Sequence, residues 1–113
     1  MTTNEEFLKL VHAFWEDTII PTMFSKGNIY SDEDRFHNFR VISSMRCQEM
    51  EFVAGGMVIK QITLLYDLLD KLEYEENFVI PLDLFDEVLK DIIIYCFLIR
   101  GMLEERTKEP NVT

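Results

Sequence analysis

The chain has 113 residues, of which 48% are hydrophobic and 28% are charged, and its formal net charge is -10. This composition is typical of a single folded domain and excludes a disordered chain. The acidic balance argues against direct nucleic-acid binding, which depends on Lys and Arg neutralising phosphates. It is compatible with a bound cation, a basic protein partner, or mimicry of a nucleic acid's charge.

The two cysteines and the N-terminus bear on the compartment. Cys47 and Cys96 are isolated and fit no metal-ligand or redox spacing, which predicts two buried, reduced thiols. The opening MTTNEEFLKL is acidic and lacks an apolar core, so we expect no signal peptide. The longest apolar run, residues 92–99, is far shorter than a membrane span. We therefore expect a cytoplasmic protein without membrane contact.

The first predicted helix begins at the N-terminus. Thr3 and Glu6 form a Thr-x-x-Glu capping box, and apolar residues follow at helical spacing. Pro21 predicts a kink or a restart of this helix. Gly27 is placed to end it as a C-cap.

Residues 30–40, YSDEDRFHNFR, are the most informative stretch. Ser31 is a suitable N-cap, and Asp34 three residues later gives a variant of the capping box, which predicts a helix from about residue 32 to 43. In such a helix Asp34, His37 and Asn38 share one polar face. Two interpretations remain open, a well-capped surface helix and a ligand-binding face.

The third predicted helix covers about residues 48–72, roughly 37 Å at 1.5 Å per residue. Gly55 and Gly56 in its interior cost about 1 kcal/mol each relative to alanine. We expect that a helix or a ligand approaches the backbone there, with a plain kink as the alternative. A polar seam on this helix is either a solvent-facing edge or a functional groove. Its members are Glu49, Val53, Gly56, Lys60, Thr63 and Asp67.

The fourth predicted helix covers about residues 82–106, after Pro81. Residues 92–99, IIIYCFLI, are apolar all round, so we expect the most buried stretch there, helical because its flanks are strong helix formers. Such a helix is apolar on more sides than a four-helix monomer can cover, which predicts a homodimer. The whole chain, 1–113, is predicted to be one helical domain with a frayed tail at 107–113.

Two carboxylates stand four residues apart just before the apolar run. Glu87 and Asp91 would repel each other on one helix face unless a positive group lay between them. Mg²⁺ would serve, and so would Lys60 or Arg35.

Three segments together carry a resemblance to a known family. They are YSDEDRFHNFR, QEMEFVAGGMVIKQITLLYDLLD and DLFDEVLKDIIIYCFLIRGMLEER. They resemble small phage-encoded helical proteins related to the nucleotide-modification-associated domain, a group similar to the all-α nucleotide pyrophosphohydrolases of the MazG and dimeric dUTPase type. The resemblance implies an all-α four-helix bundle, often dimeric, and we expect its two long helices, the third and fourth, to be antiparallel. In the active relatives, acids on two helices hold Mg²⁺ against a nucleoside triphosphate.

The match to the acidic motifs is partial. Asp91 stands at the final acid of the Glu-x-x-Asp motif, but Val88 occupies the place of its glutamate and Glu87 is one step away. The Glu-x-x-Glu motif is absent in that form, because Glu49 and Glu51 are spaced by two. Several other polar positions agree with the phage group. They are Tyr30, Asp32, Asp34, Asn38 and Lys60.

These observations support two classes of function. In the first, the protein binds or hydrolyses a nucleotide with Mg²⁺, as a nucleotide pyrophosphohydrolase if it is active. Metal ligands would be Asp34, Glu87 and Asp91. Nucleotide contacts would come from Tyr30, which could stack on the base, Asn38, and Lys60 at a phosphate, with His37 as a base beside the catalytic Glu87 and Asp91.

In the second class, the chain is a non-catalytic acidic phage protein that binds and inhibits a host or defence protein, such as an anti-CRISPR or a nucleic-acid mimic. The incomplete acidic motif favours this class, while the resemblance narrowly favours the first. A scaffold or dimerisation module is a third alternative. We expect a cytoplasmic location, which is the cytoplasm of the host cell if the chain is phage-encoded.

Overall fold

The computed structural model describes residues 1–29 and 34–108, and the side chains of residues 26–29 are left out of the description. Within these ranges all regular structure is helical, arranged as four helices, and contains no strand. The prediction of an all-α protein is therefore confirmed. The chain forms two compact units, Met1–Arg35 and Phe36–Thr113, which are described separately.

The first unit is one long helix with an irregular middle. It consists of α1 (Asn4–Phe14), a π-helical turn (Trp15–Ile19) and α2 (Ile20–Ile29). The side chain of Thr3 accepts a hydrogen bond of 3.1 Å from the backbone N–H of Glu6. This bond satisfies one of the N–H groups that a helix start leaves unpaired, and it confirms the predicted cap.

The π-helical turn has a physical cause in Pro21, the second residue of α2. Proline has no N–H to donate, and its ring crowds the carbonyl four residues earlier. The chain adapts by bonding one residue further back, since the N–H of Ile20 donates to the carbonyl of Trp15. The sequence predicted a kink or a restart at Pro21, and the structure has a π-helical turn just before it, after which the helix continues as α2. Gly27 lies inside α2, so the prediction that it ends the helix is wrong.

In the second unit, α3 covers His37–Arg46. The prediction of a helix start near residue 32 is wrong over the described part, because residues 34–36 are not helical. Phe36 precedes α3 and packs against the core of this unit, which helps to fix the start. Asp34 therefore does not share a helical face with His37 and Asn38. The predicted cap, Ser31, lies outside the described residues.

The end of α3 is a left-handed residue. Cys47 has φ 53° and ψ 43°, and its N–H donates to the carbonyl of Ser43. Glycine or asparagine usually takes this conformation, since a Cβ strains it. The turn that follows leads directly into the next helix.

The two long helices are α4 (Met50–Tyr74) and α5 (Leu82–Thr107), each within two residues of its predicted bounds. The connection between them, residues 75–81, includes Asn77 with φ 62°. The ammonium of Lys71 lies 5.8 Å from the ring centre of Phe78 in a cation–π contact. Pro81 stands immediately before α5 and fixes where that helix begins.

The core of the second unit lies where the start of α4 meets the end of α5. Met50, Ala54 and Met102 are buried there. Partly buried side chains pack around them, namely Phe36, Phe39, Leu98 and Ile99. The ring of Phe39 also meets the ring of Tyr95 edge-on, with centres 6.4 Å apart. Aromatic pairs prefer this geometry.

The prediction that residues 92–99 are the most buried stretch is wrong. Of these residues only Ile94 is fully buried, while Phe97 is 47% exposed. The first turns of α4 hold more buried residues, because they face both α3 and α5. Cys47 and Cys96 are free thiols, but both are exposed, so their predicted burial is also wrong.

The glycine pair in α4 faces open space. A Cβ built on Gly55 or Gly56 meets no atom within 4 Å, whereas one built on Gly101 comes 2.9 Å from the ring of Phe36. The close approach predicted at the pair is thus not found among the described residues. It occurs at Gly101 instead.

One described helix, α4, is long and apolar enough to cross a bilayer. Its most apolar 18-residue window has a mean hydropathy of 1.4, and 22% of that window is buried. Core helices of water-soluble proteins have a similar length and hydropathy, so these two properties do not assign α4 to a membrane. Several large apolar side chains of α4 are exposed among the described residues, including Phe52, Ile59 and Tyr66.

Candidate functional site

The predicted acid pair lies on the first half of α5. The side chain of Glu87 is 67% exposed and accepts a hydrogen bond of 2.6 Å from the ammonium of Lys90. Asp91, one turn later, is partly buried and has no hydrogen-bond or ion-pair partner among the described residues. A lysine on the same helix therefore neutralises one of the two acids.

Lys60 is exposed in the middle of α4. It lies nine residues after Glu51, while Asp91 lies fifteen residues before Arg106, the ion-pair partner of Glu51. At 1.5 Å per residue, Lys60 lies about 14 Å along α4 from the Glu51–Arg106 ion pair, and Asp91 lies about 22 Å along α5 from the same ion pair. No hydrogen bond or ion pair joins Lys60 to Glu87 or Asp91 in the described part of the chain.

The remaining predicted site residues come from the stretch around residues 30–40. His37 and Asn38 are the first two residues of α3 and both are exposed. Asp34 is partly buried and belongs to the first unit. Tyr30 and Asp32 lie outside the described residues.

The described residues give no support to the metal-site prediction. Across residues 1–29 and 34–108, no three His, Cys, Asp or Glu side chains form a group that could hold a metal ion. The Mg²⁺ site built from Asp34, Glu87 and Asp91 stays a prediction.

A pocket that the sequence did not indicate lies at the other end of the two long helices. Its volume is about 250 Å³. It is lined by Arg40, Ser43, Ser44, Glu49, Met50, Glu105 and Arg106. These side chains come from α3, the start of α4 and the end of α5, and none of them was a predicted site residue.

Charged pairs of opposite sign occupy this pocket. Arg106 donates from Nε and Nη2 to the two carboxylate oxygens of Glu51, and Nη2 also donates to Glu49, each over 2.7 Å. Arg40 donates to Glu105 over 2.5 Å. Two-point pairing between a guanidinium and a carboxylate is among the strongest hydrogen bonding in proteins. The group therefore ties the last turn of α5 to the first turn of α4.

The pKa shifts of Glu51 and Arg106 agree with a structural role for their ion pair. The hydrogen bonds from Arg106 lower the pKa of Glu51, although burial acts in the opposite direction. Glu51 and Glu49 in turn raise the pKa of Arg106 above its ordinary value. With its carboxylates held by guanidinium groups, the pocket is poorly suited to bind a metal ion. Sequence reasoning missed it because Glu51 and Arg106 are 55 residues apart.

The opposite end of the two helices is strongly acidic. Residues 67–91 contain nine acidic and two basic residues, so they hold -7 of the net charge of -10. The acids are Asp67, Asp70, Glu73, Glu75, Glu76, Asp83, Asp86, Glu87 and Asp91, and all but Asp91 are exposed. The rest of the second unit, residues 36–66 and 92–113, has six basic and five acidic residues and sums to +1. We call residues 67–91 the acidic end. A charge count along the chain would have found it.

Comparisons with known proteins gave no match, whether against protein-family models, curated proteins or solved structures.

Proposed function

We propose that this protein is a non-catalytic, acidic binding protein whose acidic end docks on a basic surface of a partner protein. The supporting observation is the concentration of charge, since 25 residues hold a net charge of -7 and nearly all of their carboxylates are exposed. Such a field accelerates encounter with a basic surface and repels acidic ones. A basic host or defence protein is the kind of partner that fits.

Charge magnitudes favour a basic protein over a free nucleotide. Two unit charges 10 Å apart in water interact by roughly 0.4 kcal/mol. A triphosphate near the seven excess negative charges therefore meets several kcal/mol of repulsion before salt screening, on the order of 0.4 kcal/mol per pair. Mg²⁺ would have to offset this repulsion, whereas a basic protein surface gains a similar amount.

The finer arrangement of the helices also belongs to this proposal. We take α4 and α5 to be antiparallel, supported by the seven-residue connection 75–81 and by the ion pairs from Arg106 back to the start of α4. A four-helix bundle and a homodimer are supported by the many large apolar side chains that remain exposed, among them Phe52, Ile59 and Tyr66. A second copy would cover such surface.

A matched pair of variants tests the docking proposal. The first neutralises the acidic end with Glu73→Gln, Glu75→Gln and Glu76→Gln. The second is the control, and it removes three negative charges from exposed sites in the first unit instead, with Glu5→Gln, Glu16→Gln and Asp17→Asn.

Each variant and the wild type are immobilised and exposed to extract of the natural host cell. We expect a basic protein to bind the wild type and the second variant, to bind the first variant at least tenfold more weakly, and to be released by salt. Equal retention by both variants, or no specific partner for the wild type, would contradict the proposal.

Binding of a nucleotide with Mg²⁺ is the second candidate. The resemblance supports it, and so does Asp91, a partly buried carboxylate without a hydrogen-bond or ion-pair partner among the described residues. An uncompensated carboxylate in such a place is suited to a cation. If the protein is active, the reaction would be pyrophosphate release from a nucleoside triphosphate.

Thermal unfolding with Mg²⁺ or Mn²⁺ and a panel of nucleotides tests this candidate. A ligand at 100 times its Kd stabilises the folded state by about 2.7 kcal/mol, which is several degrees in melting temperature. Asp91→Asn should abolish the shift, while Asp83→Asn, an exposed acid on the same helix, should keep it. A panel without any shift would exclude this candidate and leave the docking proposal in place.

A further inference from the structure

The helix α4 has an apolar stripe that is exposed among the residues that the structure describes. The stripe has alternating three- and four-residue spacing. Its members are Phe52, Gly55, Ile59, Ile62, Tyr66 and Leu69. Phe52, Ile59 and Tyr66 are between 61% and 67% exposed, Ile62 and Leu69 are 37% and 39% exposed, and a Cβ on Gly55 meets nothing within 4 Å.

The stripe is separate from the packed face of α4. Of the buried residues of this helix, Met50, Val53 and Leu68 lie on the opposite side at 100° per residue, whereas Ala54 and Val58 lie between the two faces. The helix thus has two apolar faces, of which one is used inside the chain. Apolar residues at every 3.5 positions on average are the pattern by which one helix packs lengthwise on another helix.

We propose that this stripe binds the same stripe of a second copy, with the two α4 helices antiparallel. The inference rests on the homodimer part of the proposed function and names its interface. The pairing is self-complementary: Phe52 faces Leu69 of the second copy and Ile59 faces Ile62. Gly55 faces Tyr66, so the missing side chain at Gly55 leaves room for the tyrosine ring. A two-fold axis between Lys60 and Gln61 relates the two copies.

The area agrees with this occupant. The exposed parts of the five side chains sum to about 500 Å² per copy, taking about 200 Å² for a full aromatic side chain and slightly less for an aliphatic one. Two copies therefore bury about 1,000 Å², the lower limit for a specific interface.

Charge selects the antiparallel direction. A parallel pair would bring two acidic ends together, each with a net charge of -7. The antiparallel pair separates them and places each acidic end beside the start of α4 in the other copy, where Arg106 is paired with Glu49 and Glu51. Repulsion between the two acidic ends therefore disfavours the parallel arrangement.

Disulfide trapping tests whether the two stripes are in contact and whether the two α4 helices are antiparallel. The background carries Cys47→Ser and Cys96→Ser, which are exposed positions. A mixture of the Phe52→Cys and Leu69→Cys proteins should form a disulfide-linked dimer under mild oxidation, because the bond needs Cα atoms within about 7 Å. Each variant alone should stay uncrosslinked. Crosslinking of Phe52→Cys with itself would show a parallel pair, and no crosslink in any mixture would overturn the interface.

The molar mass of the protein in solution distinguishes this interface from a dimer that uses another surface. Ile59→Glu should convert the wild-type dimer into a monomer in light scattering, with helicity retained because the position is exposed. Val79→Glu, in the connection and 77% exposed, adds the same charge off the stripe and should leave the dimer intact. A dimeric Ile59→Glu protein would overturn this interface while sparing the homodimer. A monomeric wild type would overturn both.

A bilayer is the competing occupant of an apolar helix. Wild-type protein should stay in the supernatant when sedimented with phosphatidylcholine–phosphatidylglycerol vesicles. Sedimentation that Ile59→Glu abolishes would assign the stripe to lipid and overturn the proposal. The partner-capture experiment with the acidic end is independent of both results.

Discussion

The start of α4 and the end of α5 differ sharply from the acidic end of the same two helices. At the first, Arg40 and Arg106 are paired with glutamates above a core that includes Met50, Ala54 and Met102. At the second, nine acids face two lysines, and Lys90 holds Glu87 in a short-range pair on its own helix. One end has its charges neutralised within the chain, and the other keeps them available.

This difference suggests that the two ends of the helices have different roles. Buried apolar contacts and two-point ion pairs give folding free energy. A row of exposed like charges gives none and slightly opposes the compact state. Retaining such a row is understandable if an external group binds it. The first end then anchors the unit, and the acidic end is the surface that we propose for binding a partner.

The largest effect should follow a cavity at the anchored end. Met102 has no exposed surface, so Met102→Ala should lower the free energy of unfolding by about 2–5 kcal/mol. Leu82→Ala, at the acidic end and 78% exposed on the same helix, should cost less than about 0.5 kcal/mol. Urea denaturation measures both. Equal losses would show that the packing around Met102 contributes no more to stability than the exposed surface of Leu82.

Glycine replacements give the next largest effect. Gly56→Ala should raise stability by about 1 kcal/mol, because alanine is the better helix former and open space surrounds the site. At Gly101 the same change brings a Cβ to 2.9 Å from Phe36, so the gain should be reduced or reversed. Thermal unfolding of both variants is the measurement. A gain at Gly101 that matches Gly56 would show that Phe36 moves freely.

The pH dependence probes the ion pairs of the anchored end. Hydrogen bonding to Arg106 lowers the pKa of Glu51 below its ordinary value of 4.5, so the folded state keeps the carboxylate ionised where the unfolded chain protonates it. This stabilisation is complete above about pH 4.5 and is lost as the pH falls through the lower folded-state pKa. Glu51→Gln should therefore flatten the fall in melting temperature between pH 5 and pH 3, roughly the window that linkage predicts. An unchanged slope would contradict the assignment.

The smallest effect should come from the acidic end itself. Glu75→Lys relieves repulsion among exposed charges and should raise the melting temperature by about one or two degrees at low salt, since exposed charges contribute little. The rise should vanish at about 1 M salt, where screening is nearly complete. A loss of stability at low salt would mean that Glu75 makes a contact of its own.

Much of the helical framework could be predicted from the sequence. The cap at Thr3, the disturbance at Pro21 and the two long helices follow from local chemistry, which a single chain displays directly. The start of α3 was missed because Phe36 leaves the helix pattern to pack on the core, and tertiary packing overrides local propensity.

Burial and the candidate site were harder to predict. The apolar run at residues 92–99 indicated a helix but not which of its faces meets another helix, so Phe97 was expected inside and lies half exposed. The pairs from Arg106 join residues more than fifty positions apart, and no local pattern marks them. The predicted meeting of Lys60 with Glu87 and Asp91 required the relative positions of α4 and α5, which periodicity does not give.

The π-helical turn at Trp15–Ile19 has a consequence for engineering. Such a turn holds one residue more than the regular ladder, so side chains after it are rotated by about 100° relative to those before it. Phe7 and Phe24 are both more than half exposed. A helical wheel drawn without the π-helical turn would therefore give the wrong angle between these two side chains. Deleting one residue from Trp15–Ile19 together with Pro21→Ala would restore the regular α-helical phase after the turn. The side chains of α2 would then rotate by about 100° relative to those of α1.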